Sequence, residues 1–434
     1  MAADSAVSDE RGLGSRLLAR SDESDGRRCV KRDVDIKGAP KHVEWLIEFL
    51  GRGWVRRSLV DYRGHPYRAH FRVNCHSLLP GLAAYDDWRA SKAEPREMPE
   101  DAIEVARQSA HIQALKGCWG VSPQGKKKEY LRQRLKDRKY VDGALFELAV
   151  GYHHVAQGRS VDIRSITVRN GFDLLVQSNS GKAEIECKTT RRGAGRKIHP
   201  QDFEALVADL WSALEAMQEI CLLDVLCDDR LRAQDVEKLS AAIYQTLSVS
   251  QPGTFDLLEG RYRLNVERIG RRSRPLSVEQ AEAVVAPYWA DQTRRPHMLV
   301  AFDSDSFGLP KPTISLSVLL CRSKKPDNVL RPLMAALSKA SKQVSGTRPS
   351  LVCIHVPEPI DWSAMRPQSA LARQLYEQFQ QHRRLDVVSG VAFSGLPADI
   401  SRRAVLAGTT PAIFWANPRA LHELPDDFKP MKTS

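Results

Sequence analysis

Apolar positions recur along this chain at two spacings, and the alternation between them gives the order of elements. Residues 42–54, "HVEWLIEFLGRGW", and 101–119, "DAIEVARQSAHIQALKGCW", read as helices. "DGALFELAVGYHHVAQG" follows at 142–158, with Leu145, Leu148, Ala149, Tyr152, Val155 and Ala156 at helical spacing and Gly158 as a stop. Strand-like "SVDIRSITVR" then leads into two short apolar runs, 172–176 and 183–188, around the polar turn 177–182. These runs predict a β-hairpin. "QDFEALVADLWSALEAM" predicts an amphipathic helix through Phe203, Leu206, Val207, Leu210, Leu214 and Met217. A strand at "EICLLDVLCDD" and a helix at "AQDVEKLSAAIYQTL" come next.

This order implies an α/β fold, a mixed sheet with flanking helices. The helix at 201–217 is expected to pack on the sheet that carries the hairpin, and the strand at 220–227 to join it. From about residue 270 a second alternation runs through "TISLSVLLC", "DNVLRPLMAALSKASKQV", "SLVCIHVPE", "QSALARQLYEQFQQHRR" and "LDVVSGVAFSG". It predicts either a second α/β region or more strands for the first sheet. The chain therefore divides into a leader at 1–40, rich in Ser, Asp, Arg and Gly and read as disordered, and a helical accessory region at 41–125. A core at 126–270 and a C-terminal α/β region at 271–434 complete it.

The hairpin carries the candidate chemistry. A turn centred between Asn179 and Ser180 places Asp173 directly across from Glu186, a pairing that brings Cβ atoms within about 5 Å. Strand period puts Glu184, Glu186 and Lys188 on one face and Ile185 and Cys187 on the other. Two facing carboxylates repel each other unless a cation lies between them. Hard oxygen ligands of this kind suit Mg²⁺, and a nearby lysine can orient a water or stabilise charge on a phosphate. A cross-strand salt bridge between Asp173 and Lys188 on a wet face is the plain alternative. Acidic-x-Lys occurs four times, at Asp35–Lys37, Asp137–Lys139, Glu186–Lys188 and Asp427–Lys429. Only the third ends an apolar strand with an upstream acid able to face it.

Charge adds a partner class. Lys plus Arg number 65 against 53 Asp plus Glu, a net +12, which fits a polyanion and nucleic acid first. Residues 126–139, "KKKEYLRQRLKDRK", hold eight basic and two acidic side chains, either a solvated helix face or a stripe for phosphate contacts. The 8 cysteines are scattered without zinc-ligand spacing and read as reduced core residues. No apolar run is long enough to span a membrane and the N-terminus is too polar for a signal peptide, so a cytoplasmic location is expected. "GVSPQGKK" lacks the Ser/Thr of a phosphate-binding loop, and "DSDSFGLPKPTI" lacks the final Glu of a calcium loop.

Asp173, a hairpin, then Glu186-Cys187-Lys188, followed by a basic loop and an amphipathic helix, resembles the PD-(D/E)xK nuclease superfamily. "GALFELAVGYHHVAQGRSV" is similar to the first helix of its Mrr-like and Holliday-junction-resolvase branches. The resemblance covers residues 140–220 and implies a restriction-endonuclease-like core at 126–270. It implies that Asp173 and Glu186 ligate Mg²⁺ or Mn²⁺ with the backbone carbonyl of Cys187, and that Lys188 positions or activates the attacking water. Glu147 would be an additional helix acid, although it lies well round the helix from the main apolar stripe. Phe172 stands where the family name has proline. Arg191, Arg192, Arg196 and Lys197 are placed to grip flanking phosphates. The implied function is a metal-dependent endonuclease acting on nucleic acid, DNA first, as a homodimer or with a partner subunit. A non-catalytic nucleic-acid-binding or scaffolding protein on the same fold is the alternative.

Overall fold

The computed structural model describes residues 37–64, 76–119, 126–164, 171–190, 193–217, 219–249, 252–271, 276–277, 283, 298–302, 313–314, 317–328, 330–360, 370–397 and 412–428. The expected leader falls almost wholly outside them, as do Arg191, Arg192 and most of the two rejected loop motifs.

Among the described residues the α-helices α1 (Ala39–Leu50), α2 (Arg52–Arg63), α3 (Leu79–Ser91), α4 (Glu100–Ala114), α5 (Lys126–Lys136) and α6 (Val141–Ala156) come first. Gly51, at φ +92°, lets α2 start immediately where α1 stops. Helices α3 and α4 touch at Gly81, where a β-carbon would lie 2.3 Å from Val105 Cγ2 and 2.4 Å from the Asp101 carbonyl. Next come β1 (Ser160–Ile163), β2 (Leu174–Ser178), β3 (Gly181–Thr189), α7 (Pro200–Ala216), β4 (Glu219–Cys227), α8 (Val236–Val249), β5 (Gly253–Leu257) and β6 (Tyr262–Arg271). The remainder is β7 (Leu276–Ser277), β8 (Met298–Phe302), β9 (Thr313–Ile314), β10 (Ser317–Ser323), α9 (Leu330–Ala340), β11 (Ser350–Ile360), α10 (Ala370–Gln381), β12 (Gly390–Pro397) and β13 (Ala412–Ala416).

These strands make two principal mixed sheets. A six-stranded sheet runs β1-β2-β3-β11-β12-β13, and a five-stranded sheet runs β5-β6-β4-β10-β8. In the first, β3 pairs antiparallel with β2 and parallel with β11, so the hairpin is joined to strands from far along the chain. Its two faces are buried by different helices. Leu174, Val176, Ala183, Ile185, Cys187 and Cys353 share one core with helices α1 to α6. Val352, Ile354, Val391 and Phe393 face Leu333 and Leu337 of α9 and Phe379 of α10.

One expectation is overturned. Phe203, Leu206, Val207, Leu210 and Leu214 are buried as their spacing predicts, but against β4, β6 and β10 of the second sheet. Strand β4 joins that sheet too, not the hairpin's. Its neighbours Leu222 and Leu223 lie in separate apolar clusters, so β4 is buried on both faces. A strand of this kind carries no alternation to assign it to one sheet over another. The first sheet is completed instead by β11, β12 and β13, so the C-terminal region extends it. Residues 41–125 share the hairpin's core.

The second sheet is thus inserted between β3 and α9, and its two connections are tied together. Asn328 N–H donates to the Gly195 carbonyl at 2.7 Å and Lys197 N–H to Asp327 Oδ1 at 2.7 Å.

Candidate active site

The hairpin keeps the expected register as far as Leu174, and Asp173 stands just outside that ladder. Leu174 pairs with Ile185, Leu175 with Glu184 and Ser178 with Gly181. Asp173 enters just before β2, its N–H donating to the Ile185 carbonyl at 3.1 Å. Its carboxylate accepts from the backbone N–H of Cys187 at 2.8 Å, so it reaches across to the adjacent strand. The two faces of β3 divide as strand period requires. Ile185 and Cys187 enter the helical core, which leaves the backbone of Cys187 as the part of that residue at the site. Glu184 and Glu186, both fully buried, take the opposite face.

Lys188 forms an ion pair with Glu186, not the cross-strand bridge to Asp173 that a wet hairpin face would favour. Glu186 Oε2 is buried with no hydrogen-bond partner. Burial is the main force raising the Asp173 pKa, and the charges of Glu147 and Glu186 push it further up; the Cys187 N–H and Lys188 oppose them. Burial likewise raises Glu186, with the charge and hydrogen bond of Lys188 and a hydrogen bond with Asp173 lowering it and Glu147 raising it. Asp173 and Glu186 therefore each feel further carboxylate charge in a largely buried region.

Glu147 arrives from α6. The stripe that this helix buries is Val141, Ala144, Leu148, Gly151 and His154, rotated from the one drawn through Leu145, Ala149 and Val155. Glu147 lies three residues from Ala144 and four from Gly151, so the rotation turns it toward the sheet. Arg134 of α5 holds it with both ends of the guanidinium, Nη1 to Oε2 at 2.7 Å and Nη2 to Oε1 at 2.6 Å. Burial lowers the Arg134 pKa, and the hydrogen bonds and charge of Glu147 outweigh it, so the group is held above its ordinary value.

The donor set fits a hard cation. An unpartnered buried carboxylate oxygen, beside two further carboxylates whose charges oppose each other's ionisation, is a site a divalent ion would satisfy. Among the described residues no three acidic, His or Cys side chains already stand as a metal cage. Mg²⁺ is commonly held by only one or two carboxylates together with substrate phosphate, so a partial set is enough.

The basic loop is placed differently from the acids. The Lys197 ammonium pairs with Asp229 at 2.8 Å, and its backbone helps to tie the inserted sheet. Arg196 is half-buried beside it. Lys197 thus serves the connection between sheets. Two residues with clear roles were not singled out by the sequence. Arg134 lay unmarked within a charge run. Glu184 accepts from Ser345 N–H at 2.7 Å, Ser345 Oγ at 2.5 Å and Arg348 Nη1 at 3.3 Å, anchoring the α9–β11 loop to the site strand. Its place on the Glu186 face was the available signal.

No protein-family model, curated protein or solved structure matches the chain.

Proposed function

We propose that this chain is a metal-dependent nuclease that hydrolyses phosphodiester bonds in nucleic acid, DNA first, on a restriction-endonuclease-like core. The observation that carries the reading is the buried, unpartnered Oε2 of Glu186, set among Asp173, Glu147 and Lys188. Asp173 and Glu186 would hold Mg²⁺ or Mn²⁺, with the Cys187 carbonyl as a third donor. The ion, when bound, supplies an acidified water and relief of phosphate charge. The chain's own residues do the rest. The Cys187 N–H fixes the Asp173 carboxylate, and burial keeps competing water from both acids. The Lys188 ammonium, on a half-buried side chain near the C-terminal end of the strand, can donate to an attacking water or a phosphate oxygen. The basic residues of α5, whose Arg134 bonds Glu147, offer a cationic surface for the flanking backbone.

A second reading has one observation in its favour. Arg134 and Lys188 already neutralise Glu147 and Glu186, as they would in a non-catalytic binding protein or scaffold. A single experiment separates the two. Purified protein is incubated with plasmid, single-stranded and branched DNA and with RNA, in Mg²⁺, Mn²⁺ or chelator. Cleavage that needs metal and is lost in Asp173→Ala supports the nuclease. Binding without cleavage across all substrates supports the scaffold.

A further inference from the structure

The Arg134–Glu147 pair joins the helix with the strongest charge run to the acid that α6 adds to the site. Both side chains are largely buried, at 15% and 12% exposure, and the contact uses both ends of the guanidinium. A guanidinium fork fits a phosphate as well as it fits a carboxylate. Tyr130, one turn earlier on α5, is 47% exposed, and the Arg134 guanidinium lies 5.8 Å from its ring centre. The pair therefore sits under an exposed aromatic face on a helix bearing Lys127, Lys128 and Arg132. A strand drawn to α5 would bring phosphates, and bases able to stack, to this point.

We propose that Arg134 is a phosphate-operated latch: without nucleic acid it holds Glu147 back from the cation position at Asp173 and Glu186, and a strand phosphate that takes the guanidinium frees Glu147 for that position. This rests on the nuclease reading and adds regulation to it. Exchanging one anion for another leaves Arg134 compensated throughout, so opening the latch avoids stranding a buried charge. Helix α6 lies against the site end of β3, where a β-carbon on Gly143 would stand 4.0 Å from Thr189 Oγ1 and the Phe146 ring stacks on His355 at 5.1 Å, and Glu147 is one turn along from Gly143 on that face. Thermodynamic reciprocity then requires that breaking the latch favour both partners.

The test is a double-variant cycle read by binding, with cleavage recorded separately. Mn²⁺ affinity is measured without nucleic acid for wild type, Arg134→Gln, Glu147→Gln and the double variant. Affinity for a short duplex is measured in chelator for the same four. Arg134→Gln should bind Mn²⁺ about tenfold more tightly than wild type, a typical coupling between sites. The double variant should lose that gain, since the gain needs the freed carboxylate. Glu147→Gln should bind duplex several-fold more tightly in chelator, because its arginine is free for phosphate. If neither shift appears, or the double variant keeps the Mn²⁺ gain, Arg134 is a structural partner and the latch falls. Should Arg134→Gln fail to fold, the duplex affinity of Glu147→Gln decides alone. Both shifts without any cleavage by wild type would retain the latch and reject the nuclease. Cleavage without the shifts would do the reverse.

Discussion

The backbone N–H of Cys187 donates to Asp173 Oδ2 at 2.8 Å, which fixes the first site acid from the strand that bears Glu186 and Lys188. Asp173→Asn keeps an oxygen for that bond while removing the carboxylate proposed to hold the cation. Single-turnover cleavage by Asp173→Asn and by Lys188→Ala should fall about 10²–10⁴-fold or more, with circular dichroism and duplex binding near wild type. Wild-type rates in both variants would place the cleavage at another site or in a contaminant.

Stability should carry a mark of the crowded acids. Asp173 and Glu186 are raised, mainly by burial, so the folded chain keeps protons that the unfolded chain releases above about pH 4. The unfolded state then binds fewer protons, and their contribution falls as pH climbs toward the raised values. Buried His111 and His154 act in the opposite sense, because burial lowers both. The informative quantity is therefore the melting-point difference between Asp173→Asn and wild type in chelator. It should grow in favour of the variant as pH rises, and Mg²⁺ should shrink it. A difference independent of pH would show that Asp173 is not held in its protonated form.

Glu184 should prove structural. It is fully buried and accepts from Ser345 and Arg348, so Glu184→Ala removes charge-assisted bonds of about 1.5–3 kcal/mol each in net terms. Denaturant unfolding should show a loss of a few kcal/mol, and metal dependence of any remaining cleavage should be unchanged. Full wild-type stability in the variant would mean that the α9–β11 loop holds its place by other contacts.

Salt dependence should distinguish the two basic segments. Each α5 lysine that meets a phosphate contributes about 0.9 to the slope of log affinity against log salt. Lys127→Ala and Lys128→Ala should each flatten that slope, whereas Lys197→Ala should not, since its ammonium is engaged by Asp229. The opposite ranking would move the nucleic-acid path to the neck between the sheets.

The local parts of this fold were legible in the sequence. A turn at Asn179–Ser180 and strand alternation were enough for the Leu174–Ile185 register and for the separation of Glu186 from Cys187. The apolar face of α7 was equally readable, residue by residue. Its destination was not, because an apolar stripe says that a face is covered and nothing about which sheet covers it. The same holds for β4, apolar on both faces. On α6 the misleading signal was size: Leu145 and Val155 drew the eye, while the buried stripe uses Ala144, Gly151 and His154. That rotation carries Glu147 to the site. Arg134 was hidden because one charged residue in a run of them looks like any other until its partner is known.

The tied connections at Gly195–Asn328 and Lys197–Asp327 bear on the order of assembly. Strands β3 and β11 are neighbours in the sheet, yet the whole inserted sheet is synthesised between them. If the insert closes first, the loop still to be ordered runs only from Thr189 to the tie and from the tie to Ser350. That shortens the free connection roughly fivefold and lowers its closure cost by about 1.4 kcal/mol. Until β11 docks, the strand bearing Glu186 and Lys188 presents an open edge, although the bonds from Cys187 to Asp173, Lys188 to Glu186 and Arg134 to Glu147 lie wholly within residues already made. The sheet around the candidate site is thus completed only after the whole insert has been made.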